Sequence, residues 1–122
     1  MLKLAFDATV RDDQRHFHVL YYSVANGGAR EARHHDVRER ERALMEKLRS
    51  ISVVDPKIDR DAVPWDAPEP RVLTTGVLLL TPAERDMADA YVTAAGWPAH
   101  MSAIWLALRA RLAEAEKVAE TS

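Results

Sequence analysis

A small α+β domain is what this sequence predicts, in the order ββαβαα, with an antiparallel three-stranded sheet packed by three helices. Three observations carry that reading. Residues 2–10 alternate apolar and polar side chains with period two. Residues 30–51 and 98–119 place apolar side chains at helical spacing. Thr81-Pro82-Ala83-Glu84 has the form of a helix start.

Leu2, Leu4, Phe6, Ala8 and Val10 fall on one face of the first strand, opposite Lys3, Ala5, Asp7, Thr9 and Arg11. A polar connection over 11–15 leads to a second predicted strand over 16–24, rich in aromatic and β-branched residues. Phe17, Val19, Tyr21 and Ser23 share one face, and His16, His18, Leu20, Tyr22 and Val24 the other. The short connection predicts an antiparallel hairpin, stopped at Asn26-Gly27-Gly28. Residues 30–51 read as a helix, with Val37, Leu44, Leu48 and Ile51 on one stripe and Met45 beside it. Its first half is nearly all charge, with pairs such as Asp36 and Arg40 at i,i+4.

Residues 52–70 carry Pro56, Pro64, Pro68 and Pro70 together with Asp55, Asp59, Asp61, Asp66 and Glu69. No periodicity survives there, which predicts a long acidic loop pinned by Val63 and Trp65. Residues 72–80 are apolar almost throughout and read as a strand covered on both faces. The helix opened by Thr81 runs to Ala95 and stops at Gly96. Pro98 opens the last helix, striped by Met101, Trp105, Leu108, Leu112, Ala115 and Ala119. Around 101–108 it is apolar on every side, so that half must be buried against something.

The 122 residues suit one domain, 1–122, with no repeat and no second unit. Hydrophobic residues make up 48% and charged residues 30%, which excludes wholesale disorder. Cysteine is absent, which excludes a disulfide framework and a thiol nucleophile. No apolar run approaches the roughly 18 residues of a membrane span, and Asp7 with the charged cluster after it predicts that the N-terminus does not serve as a signal peptide. A cytoplasmic protein without membrane contact is therefore expected. The formal net charge of −2 gives no global field toward nucleic acid.

His16-Phe17-His18 is the most suggestive motif. On a strand, i and i+2 share a face, so both imidazoles would address one divalent ion. The pattern resembles the metal site of HUH endonucleases, the rolling-circle replication and transposition nucleases. That resemblance spans three residues. It implies a metal that polarises the scissile phosphate and a tyrosine nucleophile, for which Tyr91 is the candidate. Ala94 stands where replication-type members carry a lysine, and no tyrosine precedes His16 as in relaxase-type members. His34 and His35 diverge by about 100° on a helix and would join such a site only if that helix packs on the histidine face.

Residues 30–50 hold seven Lys/Arg against five Asp/Glu, so Arg30, Arg33, Arg38 and Arg42 are candidates for phosphate contact. The interleaved Glu31, Asp36, Glu39, Glu41 and Glu46 also fit a solvated, salt-bridged face. There is no Gly-x-Ser-x-Gly, no phosphate-binding glycine loop and no His-Glu-x-x-His, and no cofactor is expected. The aromatic and apolar side chains predict a different role. Trp65, Trp97, Met101, Ile104, Trp105 and Leu108 are the candidate contacts to a protein partner or to a second copy of the chain. The function expected from the sequence is thus a non-catalytic interaction protein, a subunit of a homo-oligomer or larger assembly. The alternative is a nucleic-acid-binding protein or metal-dependent nuclease built on His16, His18 and the arginine-rich helix.

Overall fold

The computed structural model describes residues 1–27, 35–64 and 67–117. Strand β1 (Leu2–Phe6) buries Leu2, Leu4 and Phe6 and turns Lys3 and Ala5 the other way, as its alternation predicts. The Asp7 carboxylate then accepts from the Thr9 amide and hydroxyl at 2.9 and 2.7 Å. This Asx turn launches a helix, not a hairpin.

That helix, α1 (Arg11–Gly27), replaces the predicted strand over 16–24. Phe17, Leu20, Tyr21 and Val24 recur at i, i+3, i+4 and i+7 and are buried, as are Val19 and Ser23. Both alternate faces of the segment are apolar, a pattern that suits a helix enclosed on most sides as well as it suits a strand. Asp12 and Asp13 sit in the first turn, where the helix dipole favours them. The aromatic and β-branched content masks that start signal.

Helix α2 (His35–Ser50) follows, with Leu44 and Leu48 in the core. The expected helix residues 30–34 lie outside the described residues. Two short strands, β2 (Ser52–Val54) and β3 (Arg71–Leu73), bracket the proline-rich segment, which contains a 3₁₀ turn at Arg60–Ala62. Strand β4 (Gly76–Leu80) leads into α3 (Pro82–Ala94). A 3₁₀ turn (Ala99–Met101) precedes α4 (Ser102–Ala113), and β5 (Glu116–Lys117) closes the described chain. The last helix therefore ends well before the predicted 119, because the chain turns back to join a sheet.

The strands form two small antiparallel sheets, ordered β4-β1-β5 and β2-β3. β1 and β4 pair from Leu2↔Leu80 to Phe6↔Gly76, while β5 adds only two residues beside β1. β2 and β3 pair from Ser52↔Leu73 to Val54↔Arg71. The apolar run 72–80 is thus two strands in two sheets. The break falls at Thr74, whose amide donates to the Ile51 carbonyl at 2.7 Å, and at Thr75, whose hydroxyl accepts from the Ala8 amide at 3.1 Å. Nor is the run covered twice: Val77 and Leu79 are 47% and 44% exposed. At Gly76 a Cβ would stand 2.5 Å from Ile51 Cγ2, so only glycine lets the end of α2 approach β4.

The start of α3 is as predicted. Thr81 caps it, Pro82 opens it, and Thr81 and Glu84 form a reciprocal capping box. Gly96 follows with φ 65°, a left-handed conformation suited to glycine. The core is a single cluster in which α1 lies among β1, α3 and α4. Among the described residues no helix is long and apolar enough to cross a membrane.

Candidate partner-binding cleft

Arg38, Arg42, Met45 and Arg49 recur at i, i+4, i+7 and i+11 along α2. That spacing puts all four within about 60° of arc and spreads them over about 16 Å of axis. The stripe lies roughly 100° around the helix from the core-facing Leu44 and Leu48. It forms one wall of a cleft of about 510 Å³. The C-terminal half of α1 forms the second wall through Tyr21, Val24, Ala25 and Asn26, and Ala67, Pro68 and Glu69 form the rim.

The wall is held rigidly where it meets the rim. Tyr21 Oη donates to the Glu69 carbonyl at 2.8 Å. Arg71 donates to the Glu69 carboxylate at 2.8 Å, and to the Ser52 hydroxyl and carbonyl at 2.8 and 2.9 Å. Burial pushes the Tyr21 hydroxyl up, while the charges of Arg49 and Arg71 pull it back. Glu41, on the same wall, accepts from Tyr91 Oη of α3. Both acidic side chains of the cleft are thus engaged. The guanidinium groups of Arg38, Arg42 and Arg49 make no hydrogen bond or ion pair among the described residues. Three exposed cations therefore line a depression that Met45, Val24, Ala25 and Pro68 also line.

The chain matches no family model, no curated protein and no solved structure. Geometry alone must then rank the surfaces. Of the arginines expected to contact phosphate, Arg38 and Arg42 line this cleft. Arg30 and Arg33 lie outside the described residues, as do Trp65 and His34. Arg49, Met45 and Tyr21 were not anticipated. The spacing of 38, 42, 45 and 49 contains the signal for the first two, but the α1 side was hidden by the strand reading of 16–24.

The remaining candidate contacts on and before α4 mostly face inward. Trp97 Nε1 donates to Ser23 Oγ at 2.8 Å, and Trp105 Nε1 to the Val92 carbonyl at 2.6 Å. Leu108 is fully buried, and Met101 and Ile104 pack against the core. Leu106, 56% exposed, is the large apolar side chain that α4 turns outward. The all-round apolarity of this helix is explained by its central packing and by small alanines on its outer side. The outer face of the β1–β4 sheet offers Ala5, Val77 and Leu79. Covering two half-exposed side chains of this size gives about 2 kcal/mol. Association costs about 4 kcal/mol or more, which the burial of these two side chains by themselves does not offset.

The histidine pair is a correction. On α1, i and i+2 diverge by about 200°, so His16 and His18 do not share a face. His16 Nδ1 lies 3.2 Å from Arg111 Nη1, which also donates to Asp13 at 2.8 Å. His18 packs on Tyr22 and on the edge of Trp97, with ring centroids 4.6 and 5.7 Å apart. No three metal-ligating side chains cluster among the described residues. The HUH-like pattern loses the strand it requires, and Tyr91, its nucleophile candidate, is buried against Glu41.

Burial depresses the His18 pKa below 6.5, and burial with the Arg111 charge does the same for His16 against the pull of Asp13 and Asp12. The unfolded chain then takes up these protons first as pH falls below 6.5. Stability declines from there down through the folded pKa values. His18→Phe keeps the ring packing and removes one titrating group. It is expected to reduce the loss of denaturation midpoint between about pH 7 and pH 5, measured by urea unfolding at both values.

Proposed function

We propose that this chain is a non-catalytic interaction protein that seats a partner protein segment in the cleft between α1 and α2. The observation that carries this reading is the Arg38, Arg42, Met45 and Arg49 stripe along that cleft. Arginines that make no ion pair among the described residues, set beside Met45, match the composition of interface hot spots. The volume, about 510 Å³, accommodates several side chains of an incoming segment. On and before α4 the candidate contacts Trp97, Met101, Ile104 and Trp105 are half-buried and packed against the core.

Nucleic-acid contact is the second reading, favoured by the same three guanidinium groups. Against it stands the pattern of the wall, in which Met45 interrupts the line of cations, whereas a phosphate backbone carries charge at every repeat.

A photo-reactive phenylalanine analogue at Met45, compared with the same analogue at Leu106, tests the proposal. Irradiation in native lysate is expected to yield one defined protein adduct from position 45 and none from 106. A homodimer would appear at twice 13.7 kDa. The same adduct from both positions, or no protein adduct from 45, rejects the cleft as the contact surface.

A further inference from the structure

We infer that the segment bound in this cleft is acidic, with its carboxylates flanking an apolar side chain. This rests on the reading just given and specifies its ligand. Arg38 and Arg42 lie one helical turn apart, about 6 Å along the axis, and Arg49 lies about 10 Å further on. Met45 falls between the two groups of charge, and Val24, Ala25 and Pro68 face it across the cleft. A bound segment meets cations at both ends and apolar surface in the middle. Guanidinium forks pair bidentately with carboxylates, and among the described residues these three are in no ion pair that must break first. Glu69 is paired with Arg71, and Glu41 accepts from the neutral Tyr91 hydroxyl and keeps its charge, so the three arginines still outnumber the two carboxylates that line the cleft. A nucleic acid carries its charge at every repeat, whereas this wall presents its cations in two groups separated by Met45. A segment of mixed glutamate and leucine fits each part of the wall.

The probe is a fluorescein-labelled synthetic peptide of glutamate and leucine, about sixteen residues long to match α2, read by fluorescence anisotropy. Three comparison ligands accompany it: the peptide with serine for leucine, the peptide with lysine for glutamate, and an oligothymidylate of matched length. The glutamate–leucine peptide is expected to bind most tightly and to weaken at least tenfold between about 50 and 500 mM salt, as screening shortens the reach of the arginines. Arg42→Glu and Arg49→Glu are each expected to weaken it at least tenfold. Arg40→Glu makes the same change of charge about 160° or more away around α2 and is expected to leave affinity within twofold. All three side chains sit on an exposed part of the helix, and circular dichroism verifies that the variants fold.

The inference fails if the oligothymidylate binds more tightly than the peptide. It fails if the serine peptide binds equally well, or if Arg40→Glu weakens binding as much as Arg42→Glu. It also fails if the peptide does not bind at low salt. A defined protein adduct at position 45 combined with any of these results overturns the acidic ligand and leaves the cleft as the contact surface. Peptide binding without any adduct from position 45 overturns the proposed function, and Arg42→Glu and Arg49→Glu then decide by themselves whether the peptide sits in the cleft.

Discussion

Trp105→Ala is expected to destabilise the fold by about 3 kcal/mol, the lower end of the range for removing a large aromatic side chain. Trp105 is partly buried and packs against the core, and its indole N–H donates to the Val92 carbonyl of α3. The Arg109 guanidinium lies 5.2 Å from its ring centroid and also pairs with Asp89 of α3. The side chain therefore joins α4 to α3 by packing, by one hydrogen bond and by a cation–π contact. Val92 O retains the Ala95 amide when the indole is lost, so the dominant cost is the cavity. For a chain of this size the change corresponds to a fall in Tm of about 10 °C. Trp105→Phe keeps most of the ring and is expected to cost about 1 kcal/mol. Leu106→Ala, one residue on and outward, is expected to change stability by less than about 0.5 kcal/mol. Urea midpoints with an unchanged m-value measure all three. An unchanged midpoint for Trp105→Ala, with a lost assembly state in light scattering, would return α4 to the role of contact surface.

That contrast shows which features were legible in the sequence. The capping box at Thr81 and Glu84 was readable because its signal is local: two residues three positions apart specify the reciprocal hydrogen bonds. β1 was readable because one of its faces is buried and the other is not. The segment 16–24 was misread because α1 is enclosed on most sides, and enclosure erases the difference between period two and period 3.6. Its ring and β-branched content then pointed to a strand, and tertiary burial overrode that propensity. The pairing of β1 with β4, from Leu2↔Leu80 to Phe6↔Gly76, joins residues far apart in the chain, information that no local pattern carries. The inward turn of Trp97 and Trp105 has the same origin, since their partners Ser23 and Val92 are supplied by other helices. Half of the cleft was in the sequence, as four positions on one side of α2. The other half depended on knowing that Tyr21 and Val24 sit on a helix facing them.

Glu84 concentrates the consequences of that packing in a carboxylate only 4% exposed. Its Oε1 accepts from the Thr81 amide at 2.8 Å, which closes the capping box, and also from Lys47 Nζ of α2. Burial raises its pKa, but the Lys47 ammonium and the Thr81 amide outweigh burial and hold it below the usual 4.5. A carboxylate depressed in the folded state stabilises the fold above its unfolded pKa. That contribution is lost as pH falls through the folded value. Glu84→Ala removes both the cap and the ion pair. It is expected to cost about 3 kcal/mol at neutral pH, since a buried charge partner is lost while Lys47 still reaches water. Glu84→Gln can keep the hydrogen bond to the Thr81 amide and loses only the charge, so about 1 kcal/mol is expected. The two variants separate further with acid. Wild type and Glu84→Gln are expected to converge in urea midpoint as pH falls from about 7 to about 3, whereas Glu84→Ala stays below both. A gap between wild type and Glu84→Gln that persists at low pH would mean that shape, not charge, joins α3 to α2 at this point.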